Sequence, residues 1–135
     1  MSVVVVPGNA RGGQVEMYAP GVPYTATVGA AQSVSGGLLV EAMAGDRVVR
    51  TAQATSVVCT GFAMWDAAAG IQVSIAVSGV WFVTASGAIG AGNKIITGAA
   101  GVAVVAGATP DARTLVGRAI SDISNATQGP VLLDP

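Results

Sequence analysis

The chain contains no histidine. That removes the commonest general base and every Ser-His or Cys-His arrangement for nucleophilic catalysis. A single cysteine, Cys59, cannot form an internal disulfide, and with no histidine and one cysteine a zinc site is nearly excluded. It follows Val57 and Val58 in an apolar, strand-like run and reads as a buried inert thiol rather than a reactive one. Charge is scarce as well. Asp, Glu, Lys and Arg make up 10% of residues, against about 25% in ordinary soluble domains, and between Arg50 and Asp111 only Asp66 and Lys94 are charged. The net charge of −1 and pI near 5.0 come with no basic patch, so an electrostatic grip on nucleic acid is not expected. Long apolar runs are missing too. No stretch reaches the ~20 residues a membrane helix needs, because the abundant Val and Ala are interrupted every few positions by Gly, Ser or Thr. Residues 3–6 are too short for a secretory apolar region and lack a basic segment before it. The expected state is a soluble, unexported protein with no membrane partner.

What remains is a chain of 135 residues with mean hydropathy +0.66, long enough to bury a core. A surface so poor in charge is prone to association, which implies that part of it is covered by other protein. Glycine and proline punctuate the sequence too densely for helices, and no helical periodicity persists beyond two turns. Ile71-Gln72-Val73-Ser74-Ile75-Ala76-Val77-Ser78 is the clearest element: β-branched residues alternate with small or polar ones, the signature of a half-buried strand. Residues 80–84 are expected to continue or pair with it. Further strands are expected at 14–18, 24–28, 38–40, 47–51, 56–65, 95–96, 102–105, 115–123 and 130–133. Short strands at this spacing with Gly at the joints predict an all-β domain, a compact antiparallel sandwich or barrel. It would span residues 14–135 as a single β domain behind an extended N-terminal arm, residues 1–13.

Two echoes suggest two related β units. Residues 44–52, which open Ala44-Gly45-Asp46-Arg47-Val48-Val49, resemble residues 91–99, which open Ala91-Gly92-Asn93-Lys94-Ile95-Ile96, 47 positions on. Gly61-Phe62-Ala63 leads to Gly70-Ile71-Gln72-Val73-Ser74-Ile75 as Gly117-Arg118-Ala119 leads to Gly129-Pro130-Val131-Leu132-Leu133.

Nothing in this scaffold looks like chemistry. The seven acids, Glu16, Glu41, Asp46, Asp66, Asp111, Asp122 and Asp134, are scattered beside turn signals, where a turn or strand-edge role outweighs a catalytic pair. Gly87-Ala88-Ile89-Gly90-Ala91-Gly92-Asn93-Lys94 invites a phosphate-loop reading, but Asn93 separates Lys94 from the last glycine and Ile95 stands where Ser or Thr is required. Asn125-Ala126-Thr127 matches a glycosylation sequon that carries nothing without an export signal. No catalytic residue, cofactor or metal site is expected. Of the six aromatics, Trp81 and Phe82 point to opposite faces if they lie on a strand, one to core and one to surface. Trp65 at a strand end fits an interface anchor as well as a core residue, and Tyr18 and Tyr24 fit core or rim.

One family shares this order of phrases. Gly13-Gln14-Val15-Glu16-Met17-Tyr18, Gly61-Phe62-Ala63 with Ala67-Ala68-Ala69-Gly70, Val73-Ser74-Ile75-Ala76-Val77-Ser78-Gly79-Val80, Ala88-Ile89-Gly90-Ala91-Gly92-Asn93-Lys94-Ile95, Val116-Gly117-Arg118-Ala119 and Gly129-Pro130-Val131-Leu132-Leu133 follow one another over residues 12–133. The pattern resembles the small capsid decoration, or cement, proteins of tailed bacteriophages, a widespread group once known only as a domain of unknown function. The resemblance implies a β-rich structural protein on the outer surface of the virion's assembled capsid, often a homotrimer at local threefold positions, that stabilises the head by bridging subunits of the major capsid protein. Under it the candidate capsid or oligomer contacts are Val3, Val4, Val5 and Val6 in the arm, with Trp65 and Trp81. The valine run would add to a sheet edge of the coat protein, or else form the first strand of the domain's own sheet. Another phage structural subunit, such as a head-fibre base or tail component, is the alternative. A carbohydrate-binding domain is a weaker one, since Trp65-Asp66 is the only adjacent aromatic–acid pair.

Overall fold

The computed structural model describes residues 23–133; the arm, the strand expected at 14–18 and Tyr18 lie outside them. The described residues form strands with only isolated 3-10 turns between them, so the all-β expectation holds. Seven strands come first: β1 Tyr24–Val28, β2 Ser33–Val34, β3 Leu39–Met43, β4 Val48–Thr51, β5 Cys59–Ala63, β6 Ala67–Ala68 and β7 Gln72–Ala76. Five of them close into a barrel in the order β1-β4-β3-β5-β7, and β2 pairs with β6 beside it. Then follow β8 Gly79–Thr84, β9 Lys94–Thr97, β10 Ala103–Val105, β11 Gly117–Ala119 and β12 Gln128–Leu133, in a sheet of order β10-β9-β11-β12-β8. A parallel bridge between Ala85 and Ala103 joins its two edges. The ladders are antiparallel except β1–β4 and this bridge.

The second sheet repeats the first barrel. The hairpin β3–β4 corresponds to β9–β10, β5 to β11, β7 to β12 and β1 to β8. Even the parallel closure recurs, with Gly29 N–H donating to Val49 O (2.9 Å) and Ser86 N–H to Ala103 O (2.9 Å). The β2–β6 pair is matched by the Ile89–Ile123 bridge. At the hairpin entrance Gly37 N–H donates to Ala63 O and Gly92 N–H to Ala119 O, both at 2.8 Å. Two aspartates take equivalent turn N–H groups: Gly36 N–H reaches Asp66 Oδ1 at 2.8 Å and Ala91 N–H reaches Asp122 Oδ1 at 2.9 Å.

This duplication confirms one echo and relocates the other. Gly61-Phe62-Ala63 and Gly117-Arg118-Ala119 lie on equivalent strands, and each pairs with the closing strand of its unit: Ala63 faces Ile75 and Ala119 faces Val131. The phrases at 44–52 and 91–99 are not equivalent, because the first runs through the β3–β4 turn into β4 while the second leads into β9, the counterpart of β3. Glycine with a short polar residue marks turns of many kinds, and here it marks two different ones. Other details also differ from expectation. The strand at 80–84 neither continues nor pairs with 72–76, because the chain crosses from one barrel to the other after Val77 and β8 pairs with β12. Ile71, Val57 and Val58 are about half exposed, since β7 begins at Gln72 and β5 at Cys59. The strand expected at 115–123 narrows to Gly117–Ala119.

Each barrel has an apolar interior. The first holds Ala26, Val28, Val34, Val40, Val49, Ala63, Ala67, Val73 and Ile75. The second holds Val83, Ile89, Ile95, Ala119, Ile123 and Val131, and its cluster continues onto Leu39, Phe62 and Ala76 of the first barrel. Small and β-branched side chains suit a five-strand ring, whose bore is too narrow for more. A polar tie reinforces the junction: Thr97 Oγ1 donates to Gln53 O (2.7 Å) and accepts Ser56 N–H (2.8 Å).

Glu41 is the buried charge. It faces Arg50 across β3–β4, with Arg50 Nε donating to Oε2 at 2.7 Å and Gln53 N–H to Oε1 at 3.0 Å. Burial raises its pKa, but the Gln53 N–H, the Ser56 hydroxyl and the Arg50 guanidinium together outweigh it and leave the carboxyl lowered. A depressed folded pKa contributes stability that is complete above the unfolded value of about 4.3 and is lost as pH falls through the folded one. Glu41→Gln is therefore expected to lower stability at pH 7 by about 1–2 kcal/mol, with the gap from the native chain closing below pH ~4. Urea titrations at pH 7 and pH 3 measure both; an equal gap at the two values would refute the assignment.

Candidate functional site

Asp66, Asp111 and Asp122 are engaged in holding turns. Among those residues no three of His, Cys, Asp and Glu come together as a metal site. Asp66 and Asp122 accept the turn N–H groups named above. Asp111 accepts from the Arg113 N–H (2.9 Å) and guanidinium (2.8 Å), chiefly through side-chain hydrogen bonds that lower its pKa. The glycine-rich run before Lys94 is no phosphate cradle, because Gly87 N–H is taken by Asn125 Oδ1 (2.7 Å), Ala91 N–H by Asp122 and Gly92 N–H by Ala119. Burial pushes the Cys59 thiol up to about 11, in keeping with an inert cysteine.

The unusual chemistry of the surface is apolar. On the outer side of the second barrel, cross-strand neighbours line up in two rows. In the first, Arg118 faces Leu132, which faces Val80. In the second, Ile120 N–H donates to Pro130 O (3.2 Å) and Pro130 faces Phe82. Phe82 is 61% exposed, Val80 52%, Ile120 50% and Leu132 40%. The first barrel provides an internal control. Its counterpart of the Ile120–Pro130–Phe82 row is Met64–Ser74–Thr25, where Met64 N–H donates to Ser74 O (3.0 Å) and Ser74 faces Thr25. The same fold positions are thus filled mostly by polar residues in one unit and by apolar ones in the other. The ring does not need Phe82 or Pro130 to close, so their apolar character is a property of the surface.

Beside these rows lies a groove of about 340 Å³ between the barrels, lined by Gly36, Gly37, Phe62, Met64, Val80, Trp81, Phe82 and Gln128. Both tryptophans named from sequence stand near it, in different states. Trp81 is half-buried and held in place: its ring meets Phe62 edge-on at 5.2 Å between centroids, and its Nε1–H donates to Ser78 O at 2.6 Å. Trp65 is 50% exposed, and its backbone packs on Gly36, where an added Cβ would come within 2.9 Å of the Trp65 Cα. Phe82 is thus the outward ring of the Trp81–Phe82 pair. Sequence names Phe82 only as one of that pair, without saying which ring faces out, and does not single out Val80, Ile120, Leu132 or Met64. The signal that could have found them is the proline at 130 inside a strand, read against Ser74 at the repeated position.

A profile of phage cement proteins matches residues 41–134. None of the curated proteins matches the chain. Among solved structures, the base of the bacteriophage phi29 head fiber protein gp8.5, its N base, aligns with a TM-score of 0.66 at 24% sequence identity, covering 84% of this chain and 93% of that one; at that identity the likeness speaks for a shared fold. The profile spans both barrels from β3 to β12, over most of the described strands, and the chain therefore belongs to the phage cement protein family, structural proteins of the phage head.

Proposed function

We propose that this protein decorates the outer surface of the assembled phage head as a homotrimer and bridges neighbouring major capsid subunits, with the apolar outer face of the second barrel against the coat protein. The observation that carries this reading is the Ile120–Pro130–Phe82 row. In this chain one of two equivalent barrels carries apolar residues at outer positions where the other carries mostly polar ones, and apolar area is what an interface core is made of. The mechanism is mass action. A protein that binds only the assembled lattice stabilises it, by about 2.7 kcal/mol per site at a hundred times the dissociation constant, and many copies across subunit borders multiply the effect. No bond is made or broken, which suits a chain without histidine, and no nucleic acid or membrane takes part.

Purified protein mixed with expanded, undecorated heads is expected to bind in copy number equal to the lattice sites and to raise the temperature at which heads burst. Ile120→Ser with Leu132→Ser is expected to weaken binding at least ~10-fold, about 1.4 kcal/mol, while cooperative unfolding persists. Undiminished binding by that variant would remove the face from the interface. The shared fold with a head-fibre base supports a second reading, a fibre-base subunit. Saturation at a few sites per head instead of lattice stoichiometry would decide for it.

A further inference from the structure

Strand β8 has an unprotected edge. Because Ile120 N–H donates to Pro130 O, the backbone of Pro130 faces β11. In an antiparallel ladder such orientations alternate, so Val131 faces Trp81, and Val80 and Phe82 turn their N–H and C=O groups away from β12. Among the described residues no strand lies on that side before the Ala85–Ala103 bridge. Exposed edges are ordinarily blunted by charge, proline or a bulge. Gly79-Val80-Trp81-Phe82-Val83-Thr84 has none of these, and the β8–β12 register runs unbroken from Gly79 to Thr84. The groove between the barrels runs beside this edge, so an added strand would find Phe62, Met64 and Trp81 under its side chains.

We infer that this edge takes Val3, Val4, Val5 and Val6 of a second copy, each subunit handing its valine run to the next around a closed ring. Four β-branched residues match the length of edge that Val80 and Phe82 offer, and main-chain pairing with alternate side chains in pockets is how an extended segment adds to a sheet. The tether argues for a neighbour. Tyr24 pairs with Ile75, so the described chain starts beside the crossing into β8, and a strand returning to its own edge would need only a short turn. Residues 7–22 supply far more. At about 3.3 Å per residue they reach roughly 50 Å, beyond the width of a domain whose radius of gyration is ~14 Å. Head-to-tail exchange of this kind ends in a closed ring or an open filament, and a ring of three is the trimer of the cement reading, formed without any coat protein.

The test therefore uses no heads, and its failure leaves the cement reading standing. Sedimentation equilibrium is run on the native chain, on the chain lacking residues 2–10 and on Val80→Pro, which deletes an N–H that points away from β12 and so leaves that ladder intact. The native chain is expected at three times 13.1 kDa and each variant at the mass of its own single chain, still unfolding cooperatively. A peptide of residues 1–10 in excess should dissociate the native oligomer to monomers. A native monomer, or a truncated chain that remains a trimer, overturns the proposal. If Val80→Pro does not fold, truncation and peptide competition decide.

Discussion

Gly117→Ala is expected to leave the protein without a cooperative fold near room temperature, and Gly61→Ala to do the same. The two glycines hold equivalent places at the start and middle of β11 and β5. A Cβ at Gly61 would overlap the carbonyl oxygen of Ala76, and one at Gly117 would overlap that of Leu132. These are backbone atoms of the closing strand, fixed on both sides by ladders, so they cannot yield as the end of a flexible side chain can. Relief requires opening β5 from β7 or β11 from β12, with loss of their hydrogen bonds and of the apolar contacts behind Ala63–Ile75 or Ala119–Val131. Losses above about 4 kcal/mol belong to this kind of mechanism, and a domain's whole stability is only about 5–15 kcal/mol. Gly107→Ala is the control: its added Cβ meets nothing within 4 Å, and the expected change is within about 0.5 kcal/mol. Urea midpoints measure all three. A Gly117→Ala chain that unfolds within 1 kcal/mol of the native one would mean the strands do not approach as described.

How far the sequence shows this architecture depends on which residues carry the signal. Alternation in Val73-Ser74-Ile75 marks a half-buried strand by itself, because the period of two is a property of the backbone. The Gly-x-Ala echo at 61 and 117 is legible for a similar reason: a close approach excludes every side chain, so both copies must keep glycine. The echo at 44 and 91 misleads because turn residues answer to local dihedral angles and say nothing about which strand follows. The candidate surface is the least legible part. Alternation says that Trp81 and Phe82 point opposite ways, yet which one faces inward is set by the pairing with β12, where Val131 opposite Trp81 is buried and Pro130 opposite Phe82 is not. The shortage of charge raises the expectation of a covered face without saying which face it is. Locating that face needs the comparison of Thr25 and Ser74 with Phe82 and Pro130, which exists only once the two barrels are aligned strand by strand.

The same alignment exposes an exchange of volume inside the barrels. The first encloses Ala67 and Val73; the equivalent positions of the second are Ile123 and Gly129. A Cβ at Gly129 would overlap the Ile123 side chain, so Ile123 occupies the space that Val73 fills in the first barrel. Gly129→Val alone is expected to be destabilising by about 3 kcal/mol, the upper end for overpacking, because a β-branched isoleucine in a narrow ring has no rotamer to retreat to. Ile123→Ala alone leaves a cavity and is expected to lose about 2–5 kcal/mol. Together they should restore the chain to within about 1 kcal/mol of native, since the second barrel then carries the Ala–Val pair that the first already packs. The coupling energy from the double-mutant cycle would then be at least about 4 kcal/mol, above the 0.5–3 kcal/mol common for touching residues, because each change alone is a misfit that the other removes. Losses that simply add would mean that Ile123 and Gly129 do not share a space. The two rings would then be alike in strand order and different in how their cores are filled.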